Sequence, residues 1–309
     1  MTVQFAFQNR YIGRKAMPIE NKKIDLPPMP QVVAKIIQID ENKLNVSSDQ
    51  IQALIAVDPA LTSKILKIAN SAFYARATPV TSLSQAITLL GFKTIKSLTL
   101  LVSASSMFPK SRKSIQVQKE IWMRSVLAAL VGKIIAEMSE RKAVKDEVFM
   151  IALLRNIGQL ILNQSYPDEY LKIYEGTVWG IDYENLRILE KEAFGFTSAE
   201  MSIYAMETWN FTESFKRSAS IPDLMNIPDD PEFPQVLPGI LGEIVVIWQK
   251  LTEHNPLSEE QRGLFEQLFD VYASQLKISE KDRAYLSENL RDNIKDDSFY
   301  SFCEELFSM

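Results

Sequence analysis

Apolar residues recur every three or four positions along most of the chain, which is the spacing of one face of an α-helix. In residues 30–39 the stripe is formed by Val32, Val33, Ile36, Ile37 and Ile39. No segment shows the clear alternation of apolar and polar residues that indicates a strand. The pattern therefore predicts an all-α fold. Its helices fall within 47–57, 58–74, 81–108 (two helices), 121–138, 146–163, 182–194, 197–209, 212–219, 240–252, 258–277 and 279–294.

Short signals mark where some of these helices begin or end. Asp58 followed by Pro59 predicts a helix start, because the carboxylate accepts backbone N–H bonds and proline lacks an N–H that would be unsatisfied there. Ser82 or Ser84 predicts the start of a later helix. Gly91 stands where a left-handed turn would end that helix, since glycine adopts positive φ without steric cost.

Two predicted helices, 121–138 and 146–163, are apolar on most of their faces, which is typical of helices at the centre of a bundle. The second also carries a narrow polar stripe, because four polar residues fall on one face at helical spacing. Two interpretations stay open: the stripe is a solvated face, or it lines a polar pocket inside the bundle. The stripe consists of Arg155, Asn156, Gln159 and Asn163.

Prolines are concentrated in one short segment, and they are Pro222, Pro228, Pro231, Pro234 and Pro238. A continuous helix cannot pass through them, because proline lacks the backbone N–H and disfavours helical geometry in the residue before it. This change in composition predicts a boundary or an extended connection. We expect an N-terminal segment over 1–23, a main helical domain over 24–220 and a smaller C-terminal helical extension over 221–309.

The charge balance excludes one class of partner. The 309 residues include 34 Lys and Arg against 39 Asp and Glu, a formal net charge of −5. Binding to a phosphate backbone needs a surplus of basic residues, so we expect no nucleic-acid partner. Cys303 is the only cysteine, which excludes an intrachain disulfide and suits a reducing compartment. The first residues lack the order of a signal peptide and no apolar run approaches about 18 residues, so we expect a cytoplasmic protein without membrane attachment.

The chain is also poorly equipped for common catalytic chemistry. Its single histidine is His254, in the polar stretch TEHNP. Multi-histidine metal sites and most Ser-His or Cys-His nucleophile pairs are therefore excluded. Neither a GxxxxGK[ST] loop nor a GxGxxG turn, which would cradle the phosphates of a nucleotide, is present. We expect no cofactor.

The strongest motifs lie in three stretches, namely LPPMPQVVAKIIQI, IAVDPALTSKILKIANSAFY and VTSLSQAITLLGFKTIKSLTL. These stretches resemble the HDOD domain, a bacterial all-helical module related to the HD-type metal-dependent phosphohydrolases. The resemblance covers residues 24–217 and implies an HD-like helical bundle used in signalling and regulation. Its most specific pieces are Asp58-Pro59, Leu66, Asn70-Ser71 and the segment from Ala86-Ile87 to Leu90-Gly91. Of these motif residues, we expect structural roles for Asp58, Pro59, Asn70, Ser71 and Gly91.

The resemblance further implies which residues stand where catalytic HD enzymes hold their metal. In those enzymes the helix matching ALLRNIGQLIL carries His-Asp before Ile-Gly, and here Arg155 and Asn156 occupy the two positions. A histidine of the preceding helix, in a Trp-x-His-Ser pattern, is replaced by Arg124. A later aspartate–histidine pair would fall at residues 197–199, which are Thr-Ser-Ala, and RSASIPD lacks the paired histidines sometimes found there. Arginine has no lone pair to donate, so we predict that no metal is bound and that metal-dependent hydrolysis is lost.

Arg124 and Arg155, with Asn156 and Gln159 beside them, are also candidate ligand-binding residues. Two converging guanidinium groups could grip a phosphate or a carboxylate. Alternatively, each arginine pairs internally with a nearby acid, since a buried charge must be paired. The nearby acids are Glu120, Glu190 and Glu192.

These observations lead to three hypotheses about function. The leading one is a non-enzymatic regulatory module that acts by contact with other signalling proteins, with a small anionic ligand or a homodimer as further options. The second is a nucleotide or second-messenger sensor that binds an anion at Arg124 and Arg155. The third is a residual phosphohydrolase that uses carboxylates alone.

Overall fold

The structure, a computed structural model, describes residues 24, 26–37, 48–70, 78–108, 115–177, 183–220, 230–254, 259–288 and 303. Every regular element in these ranges is helical, which confirms the all-α fold. Ser71 and the predicted N-terminal segment 1–23 lie outside the described residues. The α-helices are α1 (Gln31–Ile37), α2 (Ser48–Ala56), α3 (Pro59–Ala69), α4 (Leu83–Leu90), α5 (Phe92–Ser105), α6 (Ile115–Met138), α7 (Lys145–Leu154), α8 (Ile157–Ser165), α9 (Pro167–Gly176), α10 (Tyr183–Phe194), α11 (Ser198–Thr208), α12 (Glu213–Ala219), α13 (Val236–His254), α14 (Glu259–Gln275) and α15 (Glu280–Glu288).

The first five helices form one packed group in which α5 contacts each of the other four. Helix α3 starts where the sequence predicts: the Asp58 side chain accepts hydrogen bonds from the backbone N–H groups of Ala60 (2.9 Å) and Leu61 (3.0 Å), and Pro59 is the first helical residue. Ser82 caps α4, and Gly91 follows α4 at φ 81°, a backbone angle that favours glycine.

Asn70 ties the end of α3 to the chain that leads into α4. Its Nδ2 donates to the carbonyl oxygens of Leu66 (2.9 Å) and Val80 (2.7 Å), and its Oδ1 accepts from the backbone N–H of Val80 at 2.7 Å. One amide side chain therefore closes a helix end and holds a segment ten residues further along.

Helices α6 and α7 occupy the centre of the bundle, as their apolar composition predicts. Seven consecutive residues of α7, 148–154, are buried, and most of α6 is buried around its circumference. Helix α6 contacts α7 and α8 and lies along α13, which also contacts α7.

The predicted continuous helix over 146–163 is wrong, because the chain turns at Arg155 and Asn156 between α7 and α8. The cause is Ser202 of α11. Its hydroxyl accepts a hydrogen bond from the N–H of Gly158 at 2.9 Å and donates one to the carbonyl oxygen of Arg155 at 3.0 Å. These backbone groups would otherwise bond within one unbroken helix, so a side chain inserted into the ladder divides it.

Gly158 allows that insertion. A Cβ added there would lie 2.0 Å from the carbonyl oxygen of Ser198 and 2.6 Å from the backbone nitrogen of Ser202. No side chain fits against backbone atoms at those distances, so α11 can reach α8 only because residue 158 is glycine.

Helix α13 packs along α6 and begins a second hydrophobic cluster, to which α14 and α15 also contribute. The residues that α6 gives to this cluster are Leu127, Val131 and Ile135. Residues 221–229, which hold two of the clustered prolines, lie outside the described residues, and the domain boundary at 220 stays a prediction. In the described ranges, none of the helices combines the length and the apolar character needed to cross a bilayer.

Candidate functional site

The polar stripe of the sequence lies in the interior, at the turn between α7 and α8. Arg155 is the centre of its charged part: its guanidinium Nη1 donates to the Glu243 carboxylate of α13 at 2.5 Å, and its Nε donates to the carbonyl oxygen of Ser218 in α12 at 3.2 Å. The side chains of Arg155 and Glu243 keep only 5% and 2% of their surface exposed. The ion pair is therefore inside the protein, where removing one partner costs about 3–5 kcal/mol.

Asn156 binds the other oxygen of the same carboxylate. Its Nδ2 donates to Glu243 Oε1 at 2.6 Å, while Arg155 binds Oε2. Because the acceptor is a carboxylate, the NH₂ end of the Asn156 amide must face it. Glu243 is thus held at both oxygens by two neighbouring residues of the α7–α8 turn.

Arg124 of α6 has a different set of contacts. Its Nη2 donates to Oε1 of Gln159 in α8 at 2.6 Å, and its Nη1 donates to the hydroxyl of Tyr174 in α9 at 3.3 Å. The guanidinium carbon also lies 5.8 Å from the centre of the Tyr174 ring, within the range of a cation–π contact. Burial raises the pKa of Tyr174, while the nearby Arg124 acts to lower it. The tyrosine is therefore a neutral hydroxyl beside the cation.

A second buried carboxyl group belongs to Glu190 of α10. It accepts a hydrogen bond from the Tyr170 hydroxyl at 3.1 Å and one from the backbone N–H of Ser198, the first residue of α11, at 2.7 Å. Burial raises the pKa of Glu190 to about 7, against the lowering effect of these hydrogen bonds and of Arg187. Burial and the Glu190 charge also raise the pKa of Tyr170 well above its ordinary value.

The structure excludes one of the two interpretations of the stripe. The solvated-face interpretation is wrong, since all four residues are buried. An internal acid does pair with Arg155, but it is Glu243 and none of the acids named from the sequence. Glu190, one of those acids, instead accepts from Tyr170 and Ser198. Gln159 and Glu243 already accept hydrogen bonds from Arg124 and Arg155, and binding of an external anion there stays a prediction.

Glu243 is the site residue that the sequence analysis missed. It is the only charged residue in the run VLPGILGEIVVIW, residues 236–248. A lone acid in an apolar helix indicates a buried charge and hence a buried cationic partner. That signal was available in the sequence, although it does not say which arginine is the partner.

The residues at the positions implied for HD metal ligands do not fit a divalent cation. The Arg155 guanidinium and the Asn156 amide both present N–H donors to Glu243, and Arg124 presents donors to Gln159. A cation needs lone pairs from carboxylates or imidazoles, and permanent positive charge repels it. Among the residues that the structure describes, no group of three or more His, Cys, Asp or Glu is placed to hold a metal ion.

Comparison with known families assigns the fold. The family model of the HDOD domain matches residues 26–221, which is more than half of the chain. The chain belongs to the HDOD family. The match ends just before the described part of the chain that carries α13 to α15, so Glu243 lies outside the matched region.

Among curated proteins, this HDOD protein is similar to an uncharacterised protein of Treponema pallidum (strain Nichols). The two are 24% identical over 160 residues, a match that covers 52% of this chain and 30% of the relative. The matched part of this HDOD protein thus spans under a third of that relative's length.

Three solved structures share the fold. An HDOD domain protein of unknown function from Geobacter sulfurreducens is 20% identical with a TM-score of 0.70, covering 92% of this chain and 94% of its own. A candidate signal transduction protein from Marinobacter aquaeolei VT8 is 19% identical with a TM-score of 0.71, covering 97% of this chain and 64% of its own. A candidate phosphohydrolase from Shewanella amazonensis SB2B is 18% identical with a TM-score of 0.65, covering 91% of this chain and 95% of its own.

Proposed function

We propose that this HDOD protein is a regulatory module that acts by contact with other signalling proteins and has no metal-dependent phosphohydrolase activity. The observation that carries the proposal is the pairing of Arg155 and Asn156 with Glu243. Where the resemblance to HD enzymes implies a metal, a buried guanidinium and an amide bind a carboxylate of the same chain.

Elementary electrostatics supports the loss of hydrolysis. A metal-dependent hydrolase uses a divalent cation to lower the pKa of a bound water and to stabilise charge on the phosphoryl oxygens. A cation placed beside Arg155 would meet like charge and would have to take Glu243 from its two donors. Among the structural relatives, one is a candidate signal transduction protein, which supports a regulatory role, and another is a candidate phosphohydrolase, which makes the assay necessary.

The test combines metal analysis with a phosphodiesterase assay. We expect purified full-length protein to contain no stoichiometric transition metal and to show no turnover of bis-p-nitrophenyl phosphate with added Mn²⁺. The Asn156→Ala variant is measured beside it as the control for contaminating enzymes. Turnover by the wild type that disappears in Asn156→Ala would contradict the proposal. Turnover equal in both would also contradict it if the activity keeps a constant ratio to the protein through successive purification steps, whereas activity that separates from the protein comes from a contaminant.

A further inference from the structure

The turn between α7 and α8 has the features of a binding site for a carboxylate. Arg155 and Asn156 are adjacent in the chain, and they place an Nη1 donor and an Nδ2 donor on the two oxygens of one carboxylate. A charged donor and an amide donor on separate oxygens fix both the position and the plane of the group. The present occupant is the side chain of Glu243.

Contacts independent of Glu243 hold Arg155 and the turn that carries it in place. The carbonyl oxygen of Arg155 accepts a hydrogen bond from Ser202 of α11, and the Arg155 Nε donates to the carbonyl oxygen of Ser218 in α12. The turn is therefore fixed by two helices that do not carry the acid. A site whose donors are positioned beforehand loses little conformational entropy when a ligand binds.

Burial closes the site to outside anions while Glu243 is present. Residues 155, 156 and 243 are all buried, and α13, which carries the acid, lies along α6 and α7. An isolated buried guanidinium is strongly unfavourable, so binding of an anion beside it is strongly favoured.

We infer that Arg155 and Asn156 form a carboxylate-binding site, that Glu243 is its resident ligand, and that a free carboxylate occupies it when the Glu243 side chain is removed. The Glu243→Ala substitution deletes Cγ, Cδ and both carboxylate oxygens, which are the non-hydrogen atoms of acetate. Acetate is therefore the matched probe. Helix α13 thus places the Glu243 carboxylate at the position where the resemblance to HD enzymes implies a metal.

The experiment is chemical rescue of full-length Glu243→Ala, followed by thermal unfolding at pH 7.5, where acetate is ionised. In sodium chloride we expect a midpoint several degrees below that of the wild type. Replacing chloride by acetate at constant ionic strength should raise the midpoint of the variant with a saturating dependence on concentration, because a ligand that binds only the native state stabilises it. Phosphate at the same ionic strength should raise the midpoint less, since a tetrahedral anion does not match the space left by the planar carboxylate of Glu243.

Two controls separate binding at this site from a general effect of acetate. The wild type and Glu137→Ala, which removes an exposed carboxylate paired with Lys145, should show no difference between acetate and chloride. The double variant Arg155→Met/Glu243→Ala should lose the acetate response, because the charged donor is gone.

Each outcome decides the question. If Glu243→Ala is unfolded in chloride, recovery of its helical circular dichroism signal on addition of acetate supports the site. The absence of any acetate-specific recovery or shift in Glu243→Ala overturns it. An acetate shift that persists at full size in Arg155→Met/Glu243→Ala also overturns it.

Discussion

Glu190 shows how a buried ionisable residue can make the stability of a protein depend on pH. Its carboxyl group accepts hydrogen bonds from Tyr170 and from the backbone of Ser198, so it joins α9, α10 and the start of α11. Burial is the main reason that its pKa rises from the ordinary 4.5 to about 7, with Arg187 opposing the rise. Between pH 4.5 and about 7 the folded protein therefore keeps a proton that the unfolded chain has lost.

We predict that Glu190 reduces the free energy of unfolding as pH rises from about 4.5 to about 7. Below 4.5 the group is protonated in both states, and its contribution is fully present; above 7 it is ionised in both states, and the contribution is lost. The gap between 4.5 and about 7 corresponds to on the order of 3 kcal/mol.

Glu190→Gln provides the measurement for this residue. Glutamine cannot ionise and resembles the protonated acid, so the variant should lack this part of the pH dependence. The quantity to follow is the difference in free energy of unfolding between wild type and variant, from urea titrations at several pH values. Other carboxyl groups cancel in that difference. A difference that stays constant from pH 4.5 to 7.5 would show that Glu190 does not titrate as described.

At the scale of single residues, the sequence identifies the polar residues of the stripe but not their partner. Arg155 and Asn156 could be recognised from the sequence as costly residues in an apolar helix, because burial of an unpaired charge is unfavourable wherever it occurs. Their partner could not be identified, since Glu243 is 88 residues away from Arg155 and local spacing carries no information about that contact.

At the scale of elements, helices α6 and α13 approach each other at glycines. A Cβ added at Gly242 would lie 2.5 Å from both the carbonyl oxygen of Ala128 and the backbone nitrogen of Gly132. A Cβ added at Gly132 would lie 3.1 Å from the backbone of Gly239 and Pro238. The crossing brings backbone against backbone, and Gly242 lies next to Glu243.

We predict that Gly242→Ala destabilises the protein by about 1–3 kcal/mol, because the added methyl group forces the two helices apart. Gly263→Ala is the matched control, since Gly263 lies within α14 and a Cβ there meets no atom within 4 Å. Alanine in an open helical position should stabilise by about 0.5–1 kcal/mol. Urea unfolding of both variants gives the comparison, and equal effects of the two substitutions would contradict the close crossing.

Most helices could be predicted from the sequence, because the spacing of apolar residues and the end signals are local. The break at 155–156 could not, since the apolar spacing continues through it and its cause is Ser202 from a helix further along the chain. A tertiary contact that overrides a local pattern leaves no trace in that pattern.

At the scale of the whole molecule, α6 belongs to two hydrophobic clusters. One includes Ile121 and Val126 and is shared with the helices that precede and follow α6 up to α12. The other includes Leu127, Val131 and Ile135 and is completed by α13 to α15. The predicted division at residue 220 therefore separates two parts of the chain that share a central helix.

We predict that a fragment ending at residue 220 is much less stable than the full chain. It would expose the α6 residues of the second cluster and leave Arg155 and Asn156 without Glu243. We expect a lower unfolding midpoint, increased binding of a hydrophobic dye and a tendency to aggregate. A fragment as stable as the full chain and without dye binding would show that 24–220 is an autonomous domain.

The separation of Arg155 from Glu243 also has a consequence for synthesis. The ribosome makes Arg155 88 residues before Glu243, a delay of roughly 4 to 18 seconds at about 5–20 residues per second. During that interval the nascent chain holds a cation without its carboxylate and an apolar face of α6 without its cover. Docking of α13 then pairs Arg155 with its carboxylate and covers this face of α6, and α14 and α15 complete the second cluster afterwards.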